Sequence, residues 1–174
     1  DLRSPSIAKR WARGKRRFLS RMLPSAVQSA VFNLAVAQRV SVGSYRTPSD
    51  GDVVCRRAGT RPFLFADALE ELQPELIPMG PLPGPDMLSA TGSVLEQEQD
   101  CLAALGLGDE DFAQFRRHSR GARRRMVETL QEATIEQQDP TALRVSFVLP
   151  AGSFATVGLA QIAANVHTAS EQTC

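Results

Sequence analysis

The sequence predicts an α+β chain, and three observations carry that expectation. Apolar residues recur at helical spacing over Leu23, Val27, Ala30, Val31 and Leu34. Far downstream, Leu143, Val145, Phe147 and Leu149 alternate with Ala142, Arg144, Ser146 and Val148, the period of a β-strand. No internal repeat is visible, which sets aside a repeat architecture.

In chain order, residues 3–17 are basic and broken by Pro5 and Gly14, and read as an arm or a short helix. A helix is expected from Pro24, because proline suits a first turn. Gln28, Asn33 and Arg39 lie off its apolar stripe. Residues 43–51 read as loop and 53–65 as short strand pieces. The stretch Pro78-Met79-Gly80-Pro81-Leu82-Pro83-Gly84-Pro85 is expected to be an ordered loop or a linker, since proline donates nothing to a helix or a central strand.

Ser93-Val94-Leu95-Glu96 has the form of a capping box opening a helix to about Leu105, with Val94, Leu95, Cys101, Leu102 and Leu105 inward. Gly106 and Gly108 end it. Asp109, Glu110 and Asp111 favour the start of another helix carrying Phe112 and Phe115. Asp139-Pro140 marks a turn, so residues 129–137 and 142–149 should form a hairpin. Pro150 to Ser153 form a loop, and Ala155 to Val166 is expected to be helical.

Composition narrows the class. The chain has 174 residues, 43% hydrophobic and 22% charged, which excludes wholesale disorder and a fibrous repeat. A chain of this length buries roughly 70% of its unfolded surface, enough for one core or two small ones. The uncharged run from Met22 to Gln38 is broken by Pro24, Ser25, Gln28, Ser29 and Asn33, too polar to span a bilayer, so no membrane partner is expected. Cys55, Cys101 and Cys174 are far apart and odd in number, which argues against a disulfide scaffold and for a reducing, cytoplasmic location. The chain begins at Asp1 rather than Met, as a fragment would, and no signal peptide is expected.

The formal net charge of +1 hides a strong segregation. Residues 1–46 carry ten Lys/Arg against one acid, and residues 47–115 carry three Arg against thirteen acids. Six arginines then crowd into residues 116–125 with no acid. Two basic blocks gathered on one face would attract phosphates by counterion release. Arg16, Arg17, Arg123 and Arg124 are the candidate contacts to an RNA backbone, guanidinium being suited to bidentate phosphate binding. The same blocks could instead pair with the acidic middle of the chain.

Little else carries chemistry. Gly152-Ser153 lacks the second glycine of a nucleophile elbow, and only His118 and His167 could serve as a base. Two histidines and scattered cysteines make no metal site. Neither phosphate-cradling glycine loop occurs, so no nucleotide cofactor is expected. Phe154 stands out, lying in a loop between a strand and a helix, where a ring either stacks on an extruded base or plugs the core beneath.

A resemblance ties these segments together. The chain is similar to the C-terminal half of the TruD family of tRNA pseudouridine synthases. The segments that carry the likeness are Lys15 to Ser20, Ser25 to Asn33, Gly51-Asp52, Pro78 to Gly84, Gly121-Ala122-Arg123-Arg124 and, most specific, Leu149-Pro150-Ala151-Gly152-Ser153-Phe154-Ala155-Thr156. The resemblance implies a helical and mixed insertion domain over 1–128, then a hairpin and helix over 129–174 that belong to a catalytic sheet. It implies that Phe154 lines the uridine pocket and that the reaction, isomerisation of a uridine at position thirteen in the D-arm of tRNA, needs no cofactor. An Asp attacks the nucleotide, the glycosidic bond breaks, and uracil rejoins its ribose through carbon.

The family's catalytic Asp lies in a Gly-x-Lys-Asp motif of the N-terminal half, and none of the nine Asp here has that context. The expected partners are therefore tRNA or another structured RNA and the N-terminal half of the same enzyme, and the chain alone is expected to be inactive. Ala160 and Gln161 replace an Arg-Glu pair usual in the family. A degenerate relative that binds RNA without catalysis is the alternative.

Overall fold

The computed structural model describes residues 5–108, 111–112, 120–150 and 153–162, with side chains from Met22 onward. It divides into two compact units, Asp1–Val127 and Glu128–Cys174. The mix of helices with antiparallel sheets is the expected α+β class.

The first unit opens with helix α1, Pro5–Ser41, followed by strands β1, Val53–Arg56, and β2, Phe63–Leu64. A 3-10 helix over Asp67–Glu75 leads into β3, Leu76–Leu82, then α2, Gly92–Ala104, and β4, Ala122–Arg125. The four strands form one antiparallel sheet in the order β2-β1-β3-β4. Val53, Cys55, Ile77, Met79, Ala90 and Val94 pack as one cluster joining the sheet to α2. Val31 and Ala35 of α1 pack with Cys101, Leu102 and Phe112. Val54, Phe65 and Leu76 form a third cluster, closed by Leu69 and Leu72 of the 3-10 helix.

Helix α1 does not start at Pro24. It runs through that residue for 37 residues. A proline deletes one backbone donor and crowds the preceding turn, a cost of about 3 kcal/mol that this helix carries at Pro24. The buried face is also rotated from the expected stripe. Val31, Phe32, Ala35 and Arg39 are buried, whereas Leu23 and Ala30 are exposed.

The proline-rich stretch is the larger departure: β3 is an interior strand. The register explains why prolines fit there. Residues Leu76, Ile77 and Pro78 pair only with β1, and Met79 to Leu82 pair only with β4. Each half of the strand therefore needs ladder donors on one side alone, so a missing N–H can face the side with no partner. Pro78 still contributes its carbonyl, which accepts from the Met126 amide at 2.9 Å.

Helix α2 begins at Gly92 with Thr91 as its N-cap, and no side-chain cap is made, so the capping box at Ser93 is not used. Thr91 is held by its backbone instead: its amide donates to Gly51 and its carbonyl accepts from Leu95. Leu105 is exposed rather than inward, and Glu98 takes a buried place on this helix. Phe112 is buried, while Phe115 lies outside the described residues.

The second unit is a hairpin of β5, Gln131–Asp139, and β6, Ala142–Val148, as the alternation and the Asp139-Pro140 turn predict. Asp139 Oδ1 accepts from the Thr141 amide at 2.7 Å and from its hydroxyl at 2.8 Å, closing the turn. Residues 155–162 are helical, and the remainder of the helix expected to Val166 lies outside the described residues.

Two chain segments cross closely where β3 leaves the sheet and β4 enters it. A Cβ on Gly84 would run into the Gly121 amide, and Gly121 has φ +85°. Gly84→Ala should therefore lower unfolding free energy by about 1–3 kcal/mol, the usual cost of forced overpacking, read as a lower urea midpoint. A midpoint equal to the wild type would show that this crossing is slack.

Candidate functional site

Three consecutive arginines on edge strand β4 have three different environments, because strand residues alternate between faces. Arg123 points inward. Its side chain is 1% exposed; Nη1 donates to Glu98 Oε1, Nη2 to Glu98 Oε2 at 2.9 Å, and Nε to the Leu88 carbonyl at 2.7 Å. Each of its three nitrogens donates to a protein atom, and in this chain Arg123 is a buried anchor between β4 and α2. Arg125 Nη2 donates to the Arg57 carbonyl at 2.9 Å, fastening the end of the strand.

Arg124 faces the other way and is exposed. Its guanidinium carbon lies over the Phe32 ring, 5.2 Å from the centroid. Phe32 in turn packs on Gly80, where a Cβ would come within 2.7 Å of the ring. Arg16 and Arg17 lie within α1, and their side chains fall outside the described residues.

A second buried ion pair ties α1 to β1. Arg39 Nη2 donates to Asp52 Oδ1 at 2.6 Å and Oδ2 at 2.7 Å, and the Ser49 amide donates to Oδ2 at 2.7 Å. Beside it, Gln38, Arg39, Asp52, Glu98 and Cys101 line a cavity of about 10 Å³, the size of one water and far too small for a base. Burial pushes the Cys101 thiol up from its ordinary value, helped by the charges of Glu98 and Asp100.

In the second unit, Phe154 follows β6 and precedes the helical residues 155–162. It is 71% exposed, so among the described residues it does not fill a core. Its carbonyl accepts from Val157 at 3.1 Å, which fixes its backbone at the helix start. Ala151 and Gly152 of the same loop lie outside the described residues. Among the described residues no group of His, Cys, Asp and Glu is placed to hold a metal ion. No described helix is long and apolar enough to cross a membrane.

Sequence reasoning missed the Arg123–Glu98 and Arg39–Asp52 pairs and the packing of Arg124, Phe32 and Gly80. The signal for the first was available: reading 122–125 as a strand separates Arg123 from Arg124 by face.

The α+β fold recurs in a solved protein described as a putative tRNA pseudouridine synthase D from Methanosarcina mazei. The likeness has a TM-score of 0.62 and 26% identity, and covers 79% of this chain and 36% of that one. The family profile for tRNA pseudouridine synthase D (TruD) matches residues 13–162, and the chain belongs to that family. A tRNA pseudouridine synthase D from Thermus thermophilus is 36% identical over 148 residues, 83% of this chain and 40% of the relative. One from an Anaeromyxobacter species is 33% identical over 150 residues, 84% of this chain and 42% of the relative. The chain thus spans about 40% of the length of these curated relatives.

Two measurements check the buried chemistry. Arg123→Ala should cost about 3–5 kcal/mol of unfolding free energy by stranding Glu98, whereas the double variant Arg123→Met/Glu98→Leu should recover most of it. Equal losses in both would assign the cost to packing alone. Because its pKa is raised in the fold, Cys101 favours folding below its ordinary pKa of 9.0 and loses that contribution as pH rises through the folded value. Replacing it with Ser should therefore flatten the decline in stability as pH rises above about 9, followed by thermal melts.

Proposed function

We propose that the chain is the C-terminal portion of a tRNA pseudouridine synthase that isomerises a uridine at position thirteen in the D-arm of tRNA. The observation that carries this is the family match through residue 162, which includes the loop presenting an exposed Phe154 ring. On this reading the first unit, over about 1–128, is the insertion domain and grips the RNA backbone through Arg124, with Arg16 and Arg17 on α1. The second unit, over about 129–174, contributes to the catalytic sheet.

The exposed ring supports a pocket role. A base flipped from the tRNA would stack on Phe154 while its bond to ribose C1′ breaks at N1 and re-forms at C5, C5 giving up its proton and N1 taking one up. An apolar wall suits a step in which the detached base must turn without leaving. The nucleophilic Asp would come from the Gly-x-Lys-Asp segment of the N-terminal half, which fits the fraction of the relatives' length that this chain spans. The hairpin supports the same view. Ile135 and Leu143 share one face with Val145, yet are 59% and 56% exposed. Isolated two-stranded hairpins are marginal in water, and an apolar face of this kind is what one presents when more of a sheet or core belongs against it.

Tritium release from tRNA labelled at uracil C5 tests the reading. The 174-residue chain alone should release none above background, and turnover by it would place a nucleophile within this sequence. In the complete enzyme, Phe154→Ala should slow turnover by about 5–150-fold, the equivalent of 1–3 kcal/mol of stacking, with the melting temperature nearly unchanged. A large fall in melting temperature with activity following it would return the ring to a core role. A parent chain without the Gly-x-Lys-Asp segment would favour RNA binding without catalysis.

A further inference from the structure

Arg124 differs from its neighbours in how it is held. Arg123 is locked to Glu98 and Leu88, and Arg125 reaches the Arg57 carbonyl, so β4 is fastened on both sides of residue 124. Among the described residues no carboxylate pairs with Arg124, and its side chain projects from an edge strand opposite Gly80 in the register. What meets it is the Phe32 ring, 5.2 Å away. That ring is itself held, being 9% exposed and seated where Gly80 lacks a side chain.

A free surface arginine samples many rotamers, and ordering it on a phosphate costs entropy. A ring beneath the guanidinium removes part of that cost without using any N–H, so all five donors stay available. We infer that Phe32, seated on Gly80, is a positioning residue that holds Arg124 ready for a phosphate of the RNA backbone. This rests on the reading that the first unit grips RNA, and it explains why an arginine rather than a lysine serves here: the planar fork combines ring contact with bidentate phosphate recognition.

Fluorescence anisotropy with the 174-residue chain and a labelled, unmodified tRNA transcript tests it. Arg124→Ala should weaken binding and reduce the salt slope by about one. Phe32→Leu, which keeps bulk but removes the ring, should weaken binding roughly 2–5-fold with the salt slope retained, and Phe32→Tyr should restore it. The double variant Phe32→Leu/Arg124→Ala should bind no worse than Arg124→Ala alone.

If Arg124→Ala weakens binding but Phe32→Leu does not, the positioning role is overturned and the RNA-gripping reading stands. If Arg124→Ala changes neither affinity nor slope, both fall together. Should Phe32→Leu fail to fold, the wild-type chain still decides: ring current must shift the Arg124 side-chain N–H resonance upfield, and an unshifted resonance overturns the inference.

Discussion

A guanidinium with 1% of its side chain exposed must find every partner inside the protein, and Arg123 finds them on Glu98 and the Leu88 carbonyl. Burying either charge alone would cost several kcal/mol, so the two are viable only together. The pair joins an edge strand to a helix that begins 30 residues earlier, and it fixes β4 in register against β3. Everything presented by β4 depends on that anchor. Arg39 and Asp52 clamp the last turn of α1 to the residue before β1, and they line the same small cavity as Glu98. The hydrophobic clusters supply most of the driving force, while these two pairs specify which helix meets which strand.

The sheet they hold is built around a strand that proline would ordinarily exclude. Its partner changes between Pro78 and Met79, from β1 to β4, and this offset is what accommodates two prolines in one interior strand. Gly80 lies just past the switch, and its bare backbone admits the Phe32 ring of α1. Helix, strand and arginine therefore meet at one point for a local reason. A side chain at residue 80 would displace the ring, and with it the support beneath Arg124.

The sequence showed local structure well and long-range pairing poorly. The β5–β6 hairpin was legible because alternation over 142–149 and the Asp139-Pro140 turn are local signals. The α2 helix was legible for the same reason, although its N-cap moved to Thr91 because Gly51, 40 residues away in the chain, takes the Thr91 amide. The β3 strand was not legible, since whether a proline can sit in a sheet depends on which neighbour pairs with which half. Arg39 lies off the apolar stripe and is nonetheless buried, because its partner Asp52 is brought to it by the loop between them. At the candidate site the Phe154 loop could be found from order and residue type. The division of labour among Arg123, Arg124 and Arg125 required knowing that they form a strand.

That division bears on how a basic block should be read. Counting charge treats the arginines of β4 as equal contributors to a phosphate-binding face. Their environments show instead that one is neutralised in place by Glu98 and another spends a donor on a backbone carbonyl, so the density of positive charge overstates what the surface offers. The burial of Arg123 still bears on what Arg124 can present. A strand pinned by an internal ion pair gives its outward arginine a fixed origin, and a fixed origin is what lets one ring set its direction. Electrostatic attraction alone would tolerate a loose arginine, because counterion release does not depend on geometry. A contact that must be made in one orientation needs geometry as well, and a rigid strand carrying one supported guanidinium supplies it.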